Sequence, residues 1–186
     1  MAYPFTPELD SPLKNWQVND TKFLQSQAYS EVNWGLHLGE DCNTKPGTSV
    51  RAIGRGKVVY SDLHASEEPP QAEGKEGSNW GNIIIIAHKN PSTKKVFFSL
   101  YGHLKKRLVE KGDRIKRGQK IGEIAEGWTR ANGWWEESHL HFAIYIGGWK
   151  GEVLPGAYRK GAEDRTKLED WIAPTEFLSR DKGKKS

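Results

Sequence analysis

The chain has 186 residues and a mass of 21.0 kDa, the size of one ordinary domain, able to bury roughly 70% of its unfolded surface. With 28 Lys+Arg against 24 Asp+Glu it carries a net charge of +4, too weak and too evenly spread to point to nucleic acid by itself. The single cysteine, Cys42, excludes an intrachain disulfide and a metal site built mainly of thiolates, and a mean hydropathy of -0.76 with no apolar run of about 18 residues excludes a membrane-spanning helix.

The first residues, Met1-Ala2-Tyr3-Pro4-Phe5-Thr6-Pro7, hold neither a basic nor an apolar leader region, so no secretory signal is expected in this chain. From there 20 Gly and 9 Pro punctuate short β-rich runs. Lys57–Tyr60, Asn82–Ala87, Val96–Tyr101 and Leu140–Ile146 read as strands between turn residues. Ile83-Ile84-Ile85-Ile86 is apolar on both faces and predicts a central strand. Helical periodicity is scarce; its best window is Asp164–Ile172, where Leu168, Trp171 and Ile172 share a face. The fold class is therefore mostly antiparallel β with little helix.

A weak internal repeat relates Gly47-Thr48-Ser49-Val50 to Gly112-Asp113-Arg114-Ile115, each followed by a second β run. Two ordinary turns account for it as well as a duplicated turn–strand unit does. Two long irregular segments interrupt the strands: Glu67–Asn79, which reads as a surface insertion, and Gly127–Ser138, which carries Trp128, Trp134 and Trp135 and ends at a histidine pair. These three tryptophans are candidates for a groove wall, with core packing the alternative.

Of six histidines, four sit in patterned places. His37 and Asp41 are four residues apart around Gly39. His139-Leu140-His141 puts two imidazoles on one face of a strand, and His103 ends the run through Tyr101-Gly102. Zinc suits such a set, since its catalytic sites take three His, Asp or Glu ligands and leave a position open. His37, Asp41 and one histidine of the pair supply three ligands; the other histidine and His103 are left for proton transfer or charge stabilisation. His64 and His88 lack such company and read as surface residues. Cys42 faces away from Asp41 in an extended chain and reads as packing.

In order along the chain, His37-x-x-x-Asp41, Gly47-Thr48-Ser49-Val50-x-Ala52, Gly81-Asn82-x-Ile84-x-Ile86, Tyr101-Gly102-His103-Leu104, Gly112-Asp113-x-Ile115-x-x-Gly118-Gln119 and His139-Leu140-His141-Phe142 resemble the motifs of the lysostaphin-type (LytM-like) zinc metallopeptidases. The resemblance implies a compact antiparallel β-sandwich of the duplicated half-motif (barrel-sandwich hybrid) type. It also implies one zinc ion on His37, Asp41 and His141, catalysis by His103 and His139, and hydrolysis of the stem or cross-bridge peptides of bacterial peptidoglycan. Glu40, inside the first motif, is not carried over as a ligand. On this resemblance residues 1–186 are one metallopeptidase domain with a core near 34–146, acting outside the cytoplasm as a monomer, with peptidoglycan peptide rather than nucleic acid as its partner. The alternative is a non-catalytic peptidoglycan-binding or hydrolase-activating domain on the same fold, which such proteins reach by losing ligands. The segment 127–138 departs from the short Gly/Ser/Thr-rich turn usual in the family, and the sequence beyond Leu154 falls outside its core.

Overall fold

The computed structural model describes residues 3–28, 33–69, 79–159 and 166–182. The strands are β1 (Ser26–Ala28), β2 (Asn33–His37), β3 (Glu40–Asn43), β4 (Ser49–Arg51), β5 (Gly56–Ala65), β6 (Asn79–Lys89), β7 (Val96–Arg107), β8 (Arg114–Ile115), β9 (Lys120–Ile124), β10 (His139–Tyr145), β11 (Ala157–Tyr158) and β12 (Trp171–Ile172). Among the described residues one α-helix, α1 (Pro174–Lys182), follows. The main sheet runs β12-β10-β7-β6-β5-β8, with β3 sharing an edge of β10 and β9 joining β4 to β7; β1-β2-β11 form a small second sheet. All of these strand pairs are antiparallel, so the expected mostly β, antiparallel class holds.

The isoleucine run sits where its composition demands. β6 lies between β5 and β7, and all four isoleucines are fully buried. Ile84 and Ile86 enter one core cluster with Tyr101, Leu140, Phe142 and Ile144; Ile83 and Ile85 enter the other with Phe98, Leu100, Ala143 and Tyr145. This is the period-two alternation of a strand covered on both faces.

Backbone bonds decide in favour of a duplicated turn–strand unit. Gly47 N–H donates to Ile124 O at 2.9 Å and Ile124 N–H returns to Thr48 O at 3.0 Å; in the other half, Gly112 N–H donates to Val58 O at 2.9 Å and Val58 N–H returns to Asp113 O at 2.9 Å. Both turn glycines have positive φ, +79° and +107°, the region where a side chain is strained. The halves cross over: β4 pairs with β9, and β5 with β8.

Two sequence expectations are corrected. Leu168–Asp170 form a 3₁₀ turn and Trp171–Ile172 the edge strand β12, not a helix; residues 164 and 165 lie outside the described residues. Trp171 is buried and Leu168 packs against the same cluster, so the apolar spacing serves a turn that then pairs its backbone with β10. The helix comes later, with Pro174 in its first turn and Phe177 and Leu178 on the core. Glu40 of β3 anchors its start: Oε2 accepts from Thr175 N at 2.8 Å and Thr175 Oγ1 at 2.7 Å, a carboxylate where the helix dipole favours one.

His88 is wholly buried rather than on the surface. β6 continues through it, its ring stacks on Phe97 at 4.9 Å, and its nitrogens are taken by Arg55 O at 2.8 Å and Ser99 Oγ at 2.7 Å. Burial pushes its pKa down to about 4, so it folds neutral while the unfolded chain protonates it near its ordinary 6.5. Because the native state then binds fewer protons, His88 costs stability as pH falls through this window, by about 3 kcal/mol once below both values. Urea unfolding of His88→Gln beside the parent should show the variant losing clearly less stability between pH 7 and pH 4.

Candidate metal centre and active site

His37 closes β2, and the chain turns at Leu38-Gly39 into β3. β3 then pairs with β10 so that Asp41 stands directly opposite His141, and Asn43 opposite His139. This register selects between the paired histidines. His139 and His141 share a face, but only His141 meets the carboxylate across the ladder. Its Nδ1 is 3.1 Å from Asp41 Oδ1, while His37 Nε2 is 3.3 Å from Asp41 Oδ2 and 2.9 Å from His141 Nδ1. The imidazole planes cross at 88°. Gly39 makes the packing possible, since a Cβ there would lie 2.4 Å from His141 Nε2.

This donor set fits a divalent cation. One ligand atom from each of His37, Asp41 and His141 lies within 4.8 Å of the others, and all three residues are buried. His37 Nδ1 lies 3.3 Å from Lys22 O; a carbonyl only accepts, so the proton is held there and Nε2 is presented inward, the usual outer support of a metal-binding imidazole. Burial pushes His141 down to about 4, leaving it neutral, as a ligand must be. For Asp41 burial works upward, but hydrogen bonds and charge from His141 and His37 outweigh it and hold the carboxyl well below the usual range. An ionised carboxylate buried between two imidazoles is completed by a cation.

His103 and His139 stand beside this triad, their rings 4.3 Å apart. Simple alternation would turn His103 to the face of Tyr101, away from His141. A bulge prevents it: β6 and β7 slip between Asn82 and Ile84, and His103 takes a left-handed φ of +62°, the twist by which bulges re-aim side chains. Both rings have fixed tautomers. His103 Nδ1 donates to Asn132 O at 2.9 Å and His139 Nδ1 to Glu137 O at 3.0 Å, so a lone pair, where the ring is neutral, lies at Nε2. Burial, then the neighbouring His139 and His141, push His103 well below its ordinary pKa, so it stands as a base.

The structure thus brings together His37, Asp41, His141, His103 and His139. Spacing missed Trp80, whose ring lies 4.8 Å from that of His141 and 5.6 Å from that of His103, seated over Gly102, where a Cβ would come 2.7 Å from it. Of the loop tryptophans, Trp135 contacts His103, His139 and Trp34. Trp134 donates to Ser66 O at 3.2 Å, and Trp128 is 64% exposed. Most of the 67–79 insertion lies outside the described residues; its described beginning is tied to the same loop through Arg130–Glu67. Cys42 is buried in the core, away from the cluster.

Residues 35–153 match the sequence family described as Peptidase family M23. The chain belongs to this family. Among curated M23 relatives it is 36% identical over 110 residues to the peptidoglycan DD-endopeptidase ShyB of Vibrio cholerae, covering 59% of this chain and 20% of that protein. It is 34% identical over 111 residues to the glycyl-glycine endopeptidase ALE-1 of Staphylococcus capitis, covering 60% and 25%. The chain therefore spans a quarter or less of the length of these relatives. Its fold is similar to the catalytic domain of lysostaphin from Staphylococcus simulans, with a TM-score of 0.56, 23% identity, and coverage of 86% of this chain and 90% of that one.

Gly39→Ala should displace His141 and weaken metal binding about 10- to 100-fold, the scale of outer-shell disruption, in competition with a chromophoric chelator.

Proposed function

We propose that the chain is a zinc-dependent endopeptidase that hydrolyses peptide bonds in the stem or cross-bridge peptides of bacterial peptidoglycan, outside the cytoplasm. The observation that carries this reading is the convergence, in an M23 chain, of a buried His–Asp–His donor set with two histidines whose Nε2 lone pairs are free for chemistry. ShyB and ALE-1, both named as endopeptidases, support the reaction class, and ShyB's name supports peptidoglycan as substrate. The five site residues are all present, which speaks against the non-catalytic alternative.

His37, Asp41 and His141 would hold a zinc ion, which when bound would supply Lewis acidity toward the scissile carbonyl and a water molecule. His103 and His139 move protons. A neutral ring with Nδ1–H bonded to a carbonyl accepts the proton of the attacking water at Nε2; as imidazolium it returns that proton to the leaving amine, while its neighbour, protonated at Nε2 for this step, donates that N–H to the charge developing on the carbonyl oxygen. Burial of the pair excludes bulk water, which strengthens these interactions.

Chelation should abolish peptide release from purified peptidoglycan, and one equivalent of zinc should restore it. His37→Ala, Asp41→Ala and His141→Ala should lose both zinc, by elemental analysis, and hydrolysis, by mass spectrometry of released ends. His103→Ala and His139→Ala should keep zinc and lose about 10²-fold or more in rate. Loss of zinc from His139→Ala with retention by His141→Ala would reverse the assigned pair, and activity surviving verified metal removal would overturn the reaction class.

A further inference from the structure

The loop 127–138 is closed by its own polar bonds. Trp128 N–H donates to Trp135 O at 2.7 Å, Trp134 N–H to Thr129 O at 2.9 Å, and Gly127 N–H to Ser138 Oγ at 3.0 Å. At its centre is Asn132, a polar residue with no solvent exposure. Its main-chain oxygen is the acceptor for His103 Nδ1–H. Its Nδ2 spans two further carbonyls, Trp135 O at 2.8 Å and Glu137 O at 3.0 Å. Glu137 O is the acceptor for His139 Nδ1–H, and the Trp135 ring meets both imidazoles edge-on, at 6.1 and 6.3 Å.

The height of this residue above the sheet is also fixed. Gly81 of β6 has φ +60°, and a Cβ on it would lie 1.9 Å from Ala131 O and 2.7 Å from Gly133 N. The turn holding Asn132 therefore rests on bare strand backbone. The chemistry of the side chain is specific as well. Two hydrogens on one nitrogen are needed to reach two carbonyls, and a carbonyl with two lone pairs can serve Asn132 and His139 together. Ser or Thr has one donor, Gln is a methylene too long for a fully enclosed site, and Asp would set acceptor against acceptor. Asn132 Oδ1 has no hydrogen-bond partner among the described residues, so the side chain is fitted to this place by its donors.

We propose that Asn132 is a positioning residue for both catalytic histidines, holding His103 through its main chain and His139 through the Glu137 carbonyl, and so setting the Nδ1–H tautomer of the two rings as one unit. The inference rests on the reading of His103 and His139 as catalytic. A ring held in the other tautomer presents N–H where a proton must be accepted, and is inactive as a base.

The test uses the full chain loaded with zinc and labelled with ¹⁵N-histidine. Two-bond ¹H–¹⁵N correlation spectra of the parent should show His103 and His139 both as Nδ1–H tautomers. In Asn132→Asp the two should leave that single tautomer, with kcat down about 10- to 100-fold, the scale for losing an outer-shell partner, and with KM and zinc stoichiometry unchanged. An Nε2–H tautomer at either ring of the parent overturns the proposal, and this measurement decides it even if Asn132→Asp fails to fold. Parental kcat in Asn132→Asp overturns it too, as does a fall in kcat with zinc loss and unaltered tautomers. His103→Ala and His139→Ala measured alongside separate the two readings: if they keep parental kcat, the catalytic assignment itself fails; if they lose it while Asn132→Asp does not, only the positioning role fails.

Discussion

The site depends on one cross-strand pair, Asp41 opposite His141 in the ladder between β3 and β10. Strand alternation makes this pair unforgiving. A slip of one residue would turn Asp41 into the core and bring Glu40 to the metal face. The neighbouring side chains lock the register from the opposite side: Cys42, Leu140 and Phe142 are buried in the core, and Glu40 is held by the first turn of α1. A short helix at the end of the chain therefore acts on the metal site by clamping the strand that carries a ligand.

A second constraint works against alternation. His103 reaches the site only because β7 bulges and the residue takes a left-handed backbone. Such a conformation in a non-glycine residue costs of order 1–3 kcal/mol, and it is held by contacts at both ends: Ala125 N–H bonds to the His103 carbonyl at 3.1 Å, and the ring is fixed by Asn132 O. Trp80 packs against the ring from the strand below. Part of the stability of the sheet is thus spent on aiming one imidazole.

The parts of this architecture that were legible in the sequence are those written in side chains. Four isoleucines in a row mark a strand covered on both faces. Two histidines two apart, and a histidine four from an aspartate, mark metal-binding faces even before a family is considered. The parts that were not legible are written in backbone atoms. His88 looked like the polar end of a strand because its partners, Arg55 O just before β5 and Ser99 Oγ on β7, are distant in the chain. Leu168, Trp171 and Ile172 carried a helix-like spacing that a 3₁₀ turn and an edge strand use equally well. The bulge at His103 and the carbonyls that fix both tautomers belong to main-chain geometry, for which the residues of 127–138 give no periodic signal; Gly81, whose missing Cβ admits the loop, was visible only as one glycine of a motif.

The crossover between the two repeated units bears on how the molecule is made. Each turn glycine finds its carbonyl partner in the other half, Gly47 on Ile124 and Gly112 on Val58, so neither half closes its own hydrogen bonds. A nascent chain that has emerged only through β7 still lacks both β8 and β9, and its β4 and β5 edges wait unpaired for sequence not yet synthesised. Contacts of such long separation slow folding and leave strand edges open to the wrong neighbour meanwhile. The interlock that gives the finished sheet its closure thus makes its assembly a late, all-at-once event in the life of the chain.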